Sequence, residues 1–197
     1  ASGNRIDVDR IRYYRVLAEA KTAAMGHGRG DGADGAGGGD TGARLIFGQL
    51  HRRLLVEALC DVTGVELDTA DVHAPATGDA PAAEWSPLYG VVLDQLRDVI
   101  VPRITDGFAL QRTKGLARVI RYLEAIDRHG REYVDAELAD IEAVLGTRPE
   151  SPRAGRLLVA VGVRDGTIEP IDALHVVGRR VARDEELLRA SSGALAD

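Results

Sequence analysis

The chain has 197 residues, of which 45% are hydrophobic and 4% aromatic, and its formal net charge is −6. That length and apolar content suffice for one large domain or two small ones, and the scarcity of aromatics leaves Leu, Val, Ile and Ala to fill the core, which suits interdigitated helices. The acidic balance removes the general electrostatic reason to bind nucleic acid, and there is neither a run of the roughly 18 to 20 apolar residues that span a bilayer nor a signal-peptide pattern. Twenty-three of the 25 basic residues are Arg, with only Lys21 and Lys114 as Lys, a bias expected of GC-rich coding rather than of a phosphate-binding surface. Cys60 has no second Cys to pair with, so a reduced thiol in a cytoplasmic protein is expected. The chain opens ASGNRID without Met, as a processed product or the tail of a longer reading frame would.

In chain order, residues 7–25 place Ile11, Tyr14, Leu17, Ala18 and Met25 near one face at helical spacing, with Asp7 or Asp9 as N-cap. Residues 26–40, GHGRGDGADGAGGGD, read as a flexible connection between antiparallel helices, because so much glycine makes ordering entropically costly. Thr41 then opens a second helix with a stripe of Ile46, Leu50, Leu54 and Ala58, widened by Phe47, Leu55 and Leu59, and Gly64 offers a stop. Residues 65–86 hold Pro75 and Pro81 and keep no period, the pattern of a linker. Ser86 and Pro87 form a cap and first-turn pair, and Pro102 breaks or kinks the helix they start.

A helix with Phe108, Leu116, Val119, Ile120, Leu123 and Ile126 inward is predicted to end near Gly130. The next, with Val134, Leu138, Ile141 and Leu145 inward, is predicted to end at Gly146. Ser151–Pro152 and Pro170 start the last two. The expectation is an all-α protein of about seven helices in two packed modules: a hairpin over 1–64, a linker over 65–86 and a bundle over 87–197. RLLVAVGV at 156–163 is apolar and β-branched enough to form a short strand instead.

Several motifs overlap in the Gly-rich stretch. GDGADG at 30–35 fits a dinucleotide-binding glycine pattern, but that pattern works only between a strand and a helix N-terminus, and here an amphipathic helix precedes it. RGD at 29–31 would matter only on an exported protein, and Asp31, Asp34 and Asp40 lack the alternation and distal Glu of a helix-loop-helix calcium site. His27, His51, His73, His129 and His175 have no paired metal spacing, so no metal site is expected. HGR at 27 and 129 carries Arg where a kinase catalytic loop needs Asp, and neither Lys follows a Gly as a P-loop requires. Asp135 with Asp140, and Glu185 with Glu186, sit on helices that also carry Arg and read as solvated faces with local ion pairs to those arginines rather than as acid/base dyads; Ser86 and Ser151 read as caps, and Ser191 and Ser192 lack a nucleophile elbow. No catalytic residue is assigned.

Residues 9–29, DRIRYYRVLAEAKTAAMGHGR, resemble a helix that follows the catalytic centre in aminoglycoside-phosphotransferase-like proteins, a bacterial kinase-fold family acting on small hydroxylated substrates. Arg10, Tyr13, Tyr14, Leu17 and Lys21 match that family's aromatic-rich R-x-x-Y/W helix with a central Lys. Residues 83–197 look like a helical domain of unknown function found beside or fused to such phosphotransferases. The resemblance implies the closing helices of a kinase C-lobe followed by an accessory module, with Tyr13, Tyr14, Leu17 and Lys21 in a substrate-cleft wall or docking face. The family's ATP-binding lobe, His-Gly-Asp loop and magnesium-binding Asp are missing, so no catalytic residue carries over. This chain would hold no cofactor; ATP and magnesium would come with a phosphotransferase N-terminal part, the implied partner in cis or in trans. A stand-alone all-α interaction or regulatory module is the other reading, and a homo-oligomer is compatible with both.

Overall fold

The structure is a computed structural model that describes residues 7–27, 41–69, 72, 86–189 and 191. Those residues form six α-helices and no strand: α1 (Val8–His27), α2 (Thr41–Thr63), α3 (Pro87–Asp94), α4 (Gly107–Leu145), α5 (Pro152–Asp165) and α6 (Pro170–Arg189). The all-α expectation holds, and the count is one short of the seven predicted. The difference lies at Gly130, which interrupts nothing: α4 runs through it for 39 residues, about 58 Å at the rise of an α-helix. A lone glycine costs a helix only about 1 kcal/mol, and no proline or capping residue follows to make the stop. The strand alternative at 156–163 is also excluded, since these residues lie within α5. The Gly-rich segment 28–40 and residues 70–71 and 73–85 of the predicted linker lie outside the described residues.

Helix ends follow local chemistry. Asp7, Asp106 and Ser151 accept hydrogen bonds from the backbone N–H groups of Arg10, Ala109 and Ala154, satisfying donors that the first turn leaves unpaired. At the other ends Gly64, Gly146 and Gly166 adopt positive φ. At Gly166 the Gly162 carbonyl accepts from Thr167 N and the Val163 carbonyl from Gly166 N, closing a Schellman motif that folds Ile168 back onto Gly162. Ser86 departs from its predicted capping role. It is buried, makes no cap, and donates instead to Asp127 Oδ2 at 3.3 Å, tying the start of α3 to α4. After α3 the chain widens into a π-helical stretch, Gln95–Ile100, and a 3-10 turn, Val101–Arg103. The absent N–H of Pro102 accounts for the change of period, and the Arg103 guanidinium donates to the Val99 carbonyl.

Two apolar clusters hold the bundle together. One joins α4, α5 and α6 through Ile141, Val159, Ile168 and Val176; the other joins α2 to α6 through Val56, Leu174 and Val181, with Val65 and Leu67 of the segment after α2 packed against it. Small residues set the closest approaches. Gly42 of α2 lies so near α4 that a Cβ there would stand 2.5 Å from the Gly115 carbonyl oxygen, and a Cβ at Gly178 would strike Leu67. The predicted inward face of α4 is corrected along its N-terminal half. Phe108, Leu116, Leu123 and Ile126 are exposed, Phe108 by 67%, while Thr113, Gly115, Ala117, Glu124 and Ala125 are buried. At Gly115 the close approach of the α2 backbone leaves no room for a side chain.

Substituting Gly42→Ala should therefore lower stability by about 1–3 kcal/mol, because neither backbone at the contact can yield cheaply. Gly48→Ala, on the same helix with nothing within 4 Å of its Cβ, should raise it by up to about 1 kcal/mol. Urea unfolding of the two variants against the parent checks both signs.

Candidate docking surface

Helix α1 packs on α2 through a narrow stripe of Val16, Glu19, Ala20 and Ala23. Polar contacts flank the stripe: His51 Nδ1 lies 2.7 Å from Glu19, and Arg15 reaches Asp61 at 2.6 Å and Glu57 at 3.7 Å. The predicted inward face of α1 is corrected, for Ile11, Tyr14, Leu17 and Ala18 all point away from α2 into solvent. Both sides of this helix carry apolar residues, and the side with the smallest ones is the side that meets the partner helix.

The sequence-predicted residues fall on this outer surface. Tyr13, Tyr14 and Leu17 are 63%, 52% and 51% exposed, and Lys21 is exposed one turn beyond Leu17. Tyr14, Leu17 and Lys21 follow one another along the outer stripe; Tyr13 sits on its flank with its ring edge-on to Tyr14 at 5.7 Å. The Arg10 guanidinium lies over the Tyr14 ring, also at 5.7 Å from its centroid, a cation–π contact that holds the ring along the helix.

A concavity not foreseen from the sequence lies between α2 and α6. Ile46, Leu50 and Leu188 supply apolar walls, and the buried Gln49 donates from Nε2 to the Val181 carbonyl at 2.8 Å. Arg53 and Glu185 pair at 2.7 Å along the rim. The cavity, about 250 Å³, is smaller than the usual small-molecule pocket of about 300–1,000 Å³ and matches one or two apolar side chains. Its two halves are 132 residues apart at the Gln49–Val181 bond, so no local pattern reveals it.

Titratable groups between the helices are engaged in structure. Glu137 holds Arg156 through two bonds of 2.6 and 2.8 Å, and Arg180 stands 3.6 Å away. Asp140 lies between Arg183 and Arg179, Asp135 pairs with Arg148, Glu185 with Arg53 and Glu186 with Arg189. Burial pushes the Asp184 carboxyl up despite the nearby Arg180 and Arg52, and burial with Glu186 and Glu132 pushes the Tyr133 hydroxyl up to about 12. The Cys60 thiol is also raised, by burial and by Asp61, which keeps it protonated rather than activated as a nucleophile. Among the described residues no group of three or more His, Cys, Asp or Glu side chains is placed to hold a metal ion, and no helix is long and apolar enough to cross a membrane. No protein-family model, curated protein or solved structure matches the chain.

The Asp184 shift carries a sign. Its folded pKa lies above the unfolded one, so its stabilising contribution is complete below the unfolded value near 3.8 and is lost as pH rises through the folded value. Asp184→Asn should accordingly melt higher than the parent at neutral pH, with the difference closing on acidification towards pH 3.8. Thermal melts across that range test it, and a variant that melts lower at neutral pH would mean the Arg180 and Arg52 attraction outweighs the burial.

Proposed function

We propose that this chain is a non-catalytic helical docking unit, joined to further polypeptide through the outer face of α1. The observation that carries the reading is the exposed, contiguous stripe of Ile11, Tyr14 and Leu17 opposite the face that α2 covers. Exposed aromatics flanked by cationic side chains are the residue types that dominate protein contacts. The resemblance of residues 9–29 to aminoglycoside-phosphotransferase-like proteins supports placing the unit in a bacterial, cytoplasmic small-molecule kinase. In that reading α1 and α2 correspond to the end of the kinase C-lobe and α3–α6 to an accessory module. ATP-dependent phosphoryl transfer, with its magnesium, belongs to a catalytic part carried in cis or in trans.

The second reading is a stand-alone interaction module, and the groove between α2 and α6 favours it, because its apolar walls and charged rim fit an anchoring side chain from a partner helix. The two are separated by the coding sequence and by assembly. The kinase reading expects a His-Gly-Asp loop and a magnesium-binding Asp encoded in frame upstream or in a companion chain. It also expects the double variant Tyr14→Ala/Leu17→Ala to weaken assembly with the adjoining polypeptide by on the order of tenfold or more, without lowering the melting temperature. A frame and neighbourhood without those motifs would remove the kinase assignment, and assembly indifferent to the double variant would remove α1 as the docking face.

A further inference from the structure

The outer stripe of α1 is complementary to itself. Along the helix its residues are Asp7, Arg10, Ile11, Tyr14, Leu17, Ala18 and Lys21, and Asp7 and Lys21 stand equally far from Tyr14 in opposite directions. The positions 7, 11, 14, 18 and 21 alternate steps of four and three, the spacing that keeps one seam facing a neighbouring helix. A second α1 laid antiparallel, with Tyr14 opposite its own copy, brings each Asp7 against the other helix's Lys21. It also packs each Ile11 on Ala18 and each Leu17 on the stem of Arg10. The match holds over about 21 Å of helix, with one acidic and one basic end per copy.

The same side chains have no competing engagement that would block this pairing. Lys21 is exposed and makes no ion pair or hydrogen bond among the described residues. Asp7 uses Oδ1 to cap the Arg10 N–H, which fixes its carboxylate at the mouth of the helix. Arg10 over Tyr14 leaves the two tyrosine rings to meet across the axis with a cation on each outer side. By contrast, the charges on the α2 side of α1 are already consumed: Arg15 by Asp61 and Glu57, and Glu19 by His51.

Resting on the reading of α1 as a docking face, we propose that its occupant is α1 of a second copy, paired antiparallel about a two-fold axis through Tyr14. The contact is isologous, so one surface serves both copies and the assembly closes as a dimer. The end charges set direction and register: a parallel arrangement would place Asp7 against Asp7 and Lys21 against Lys21. A stripe filled in this way is closed to a catalytic part in the same assembly, and the α2–α6 groove of each copy stays open.

Sedimentation of the full chain over a concentration series tests the proposal. The parent should self-associate, and Asp7→Lys or Lys21→Asp alone should each raise the dissociation constant by on the order of tenfold, since each opposes like charges at both ends. An equimolar mixture of the two variants should regain association, because every end pair is then opposite in sign. In a Cys60→Ser background, Tyr14→Cys should cross-link to a dimer on oxidation, whereas cysteine at the α2-facing Ala20 should not. A chain that stays monomeric at the highest attainable concentration, or a dimer indifferent to both reversals and to the mixing, overturns the self-pairing. If self-pairing fails while Tyr14→Ala/Leu17→Ala still weakens assembly with other polypeptide, the docking face stands with a different occupant; if both fail, the docking reading falls as well.

Discussion

The arrangement of the helices depends on the charged seam between α4 and α6. Glu137 and Asp140 on the long helix face Arg179, Arg180 and Arg183 on the last one, with Arg156 of α5 reaching the same Glu137. Glu137 and Arg183 are buried, so each needs its partner there to offset the loss of hydration. This alternation of sign fixes the rotation of α6 about its axis, which in turn presents Leu174 and Val181 to Val56 of α2. Helix α1 is then attached to α2, at the end of this sequence of contacts.

A line of alternating charge runs from that outermost helix back to α6. Asp61, Arg15, Glu57, Arg53 and Glu185 succeed one another across α1, α2 and α6 at 2.6, 3.7, 3.4 and 2.7 Å. All are substantially exposed, so each link is weak and screened by salt. Apolar contact along α1 comes from Val16 and small alanines, which lets α1 lie close to α2 while keeping its larger side chains for the opposite face.

Much of this was legible in the sequence where a local rule had a single consequence. Helix starts at Asp7 and Ser151 and stops at Gly64 and Gly146 follow from capping chemistry and positive φ. Gly130 was misread because glycine ends a helix only when the next residues supply a cap, and Arg131 and Glu132 continue the period instead. The orientation of α1 was misread because both its faces carry apolar residues, and only the partner's shape decides which is covered. Tyr13, Tyr14, Leu17 and Lys21 lie within one segment, where a resemblance can reach them. Ile46, Leu50 and Leu188 do not, and their proximity is created by the packing of α2 on α6.

The length of α4 turns the molecule into a lever. Its C-terminal half is clamped by α5, α6 and the Glu137–Asp140 seam, whereas its N-terminal half is steadied by α3 and by the backbone contact at Gly115. Phe108 lies about 43 Å along the helix from Glu137, so a rotation of about 5° at the clamp sweeps that end through almost 4 Å.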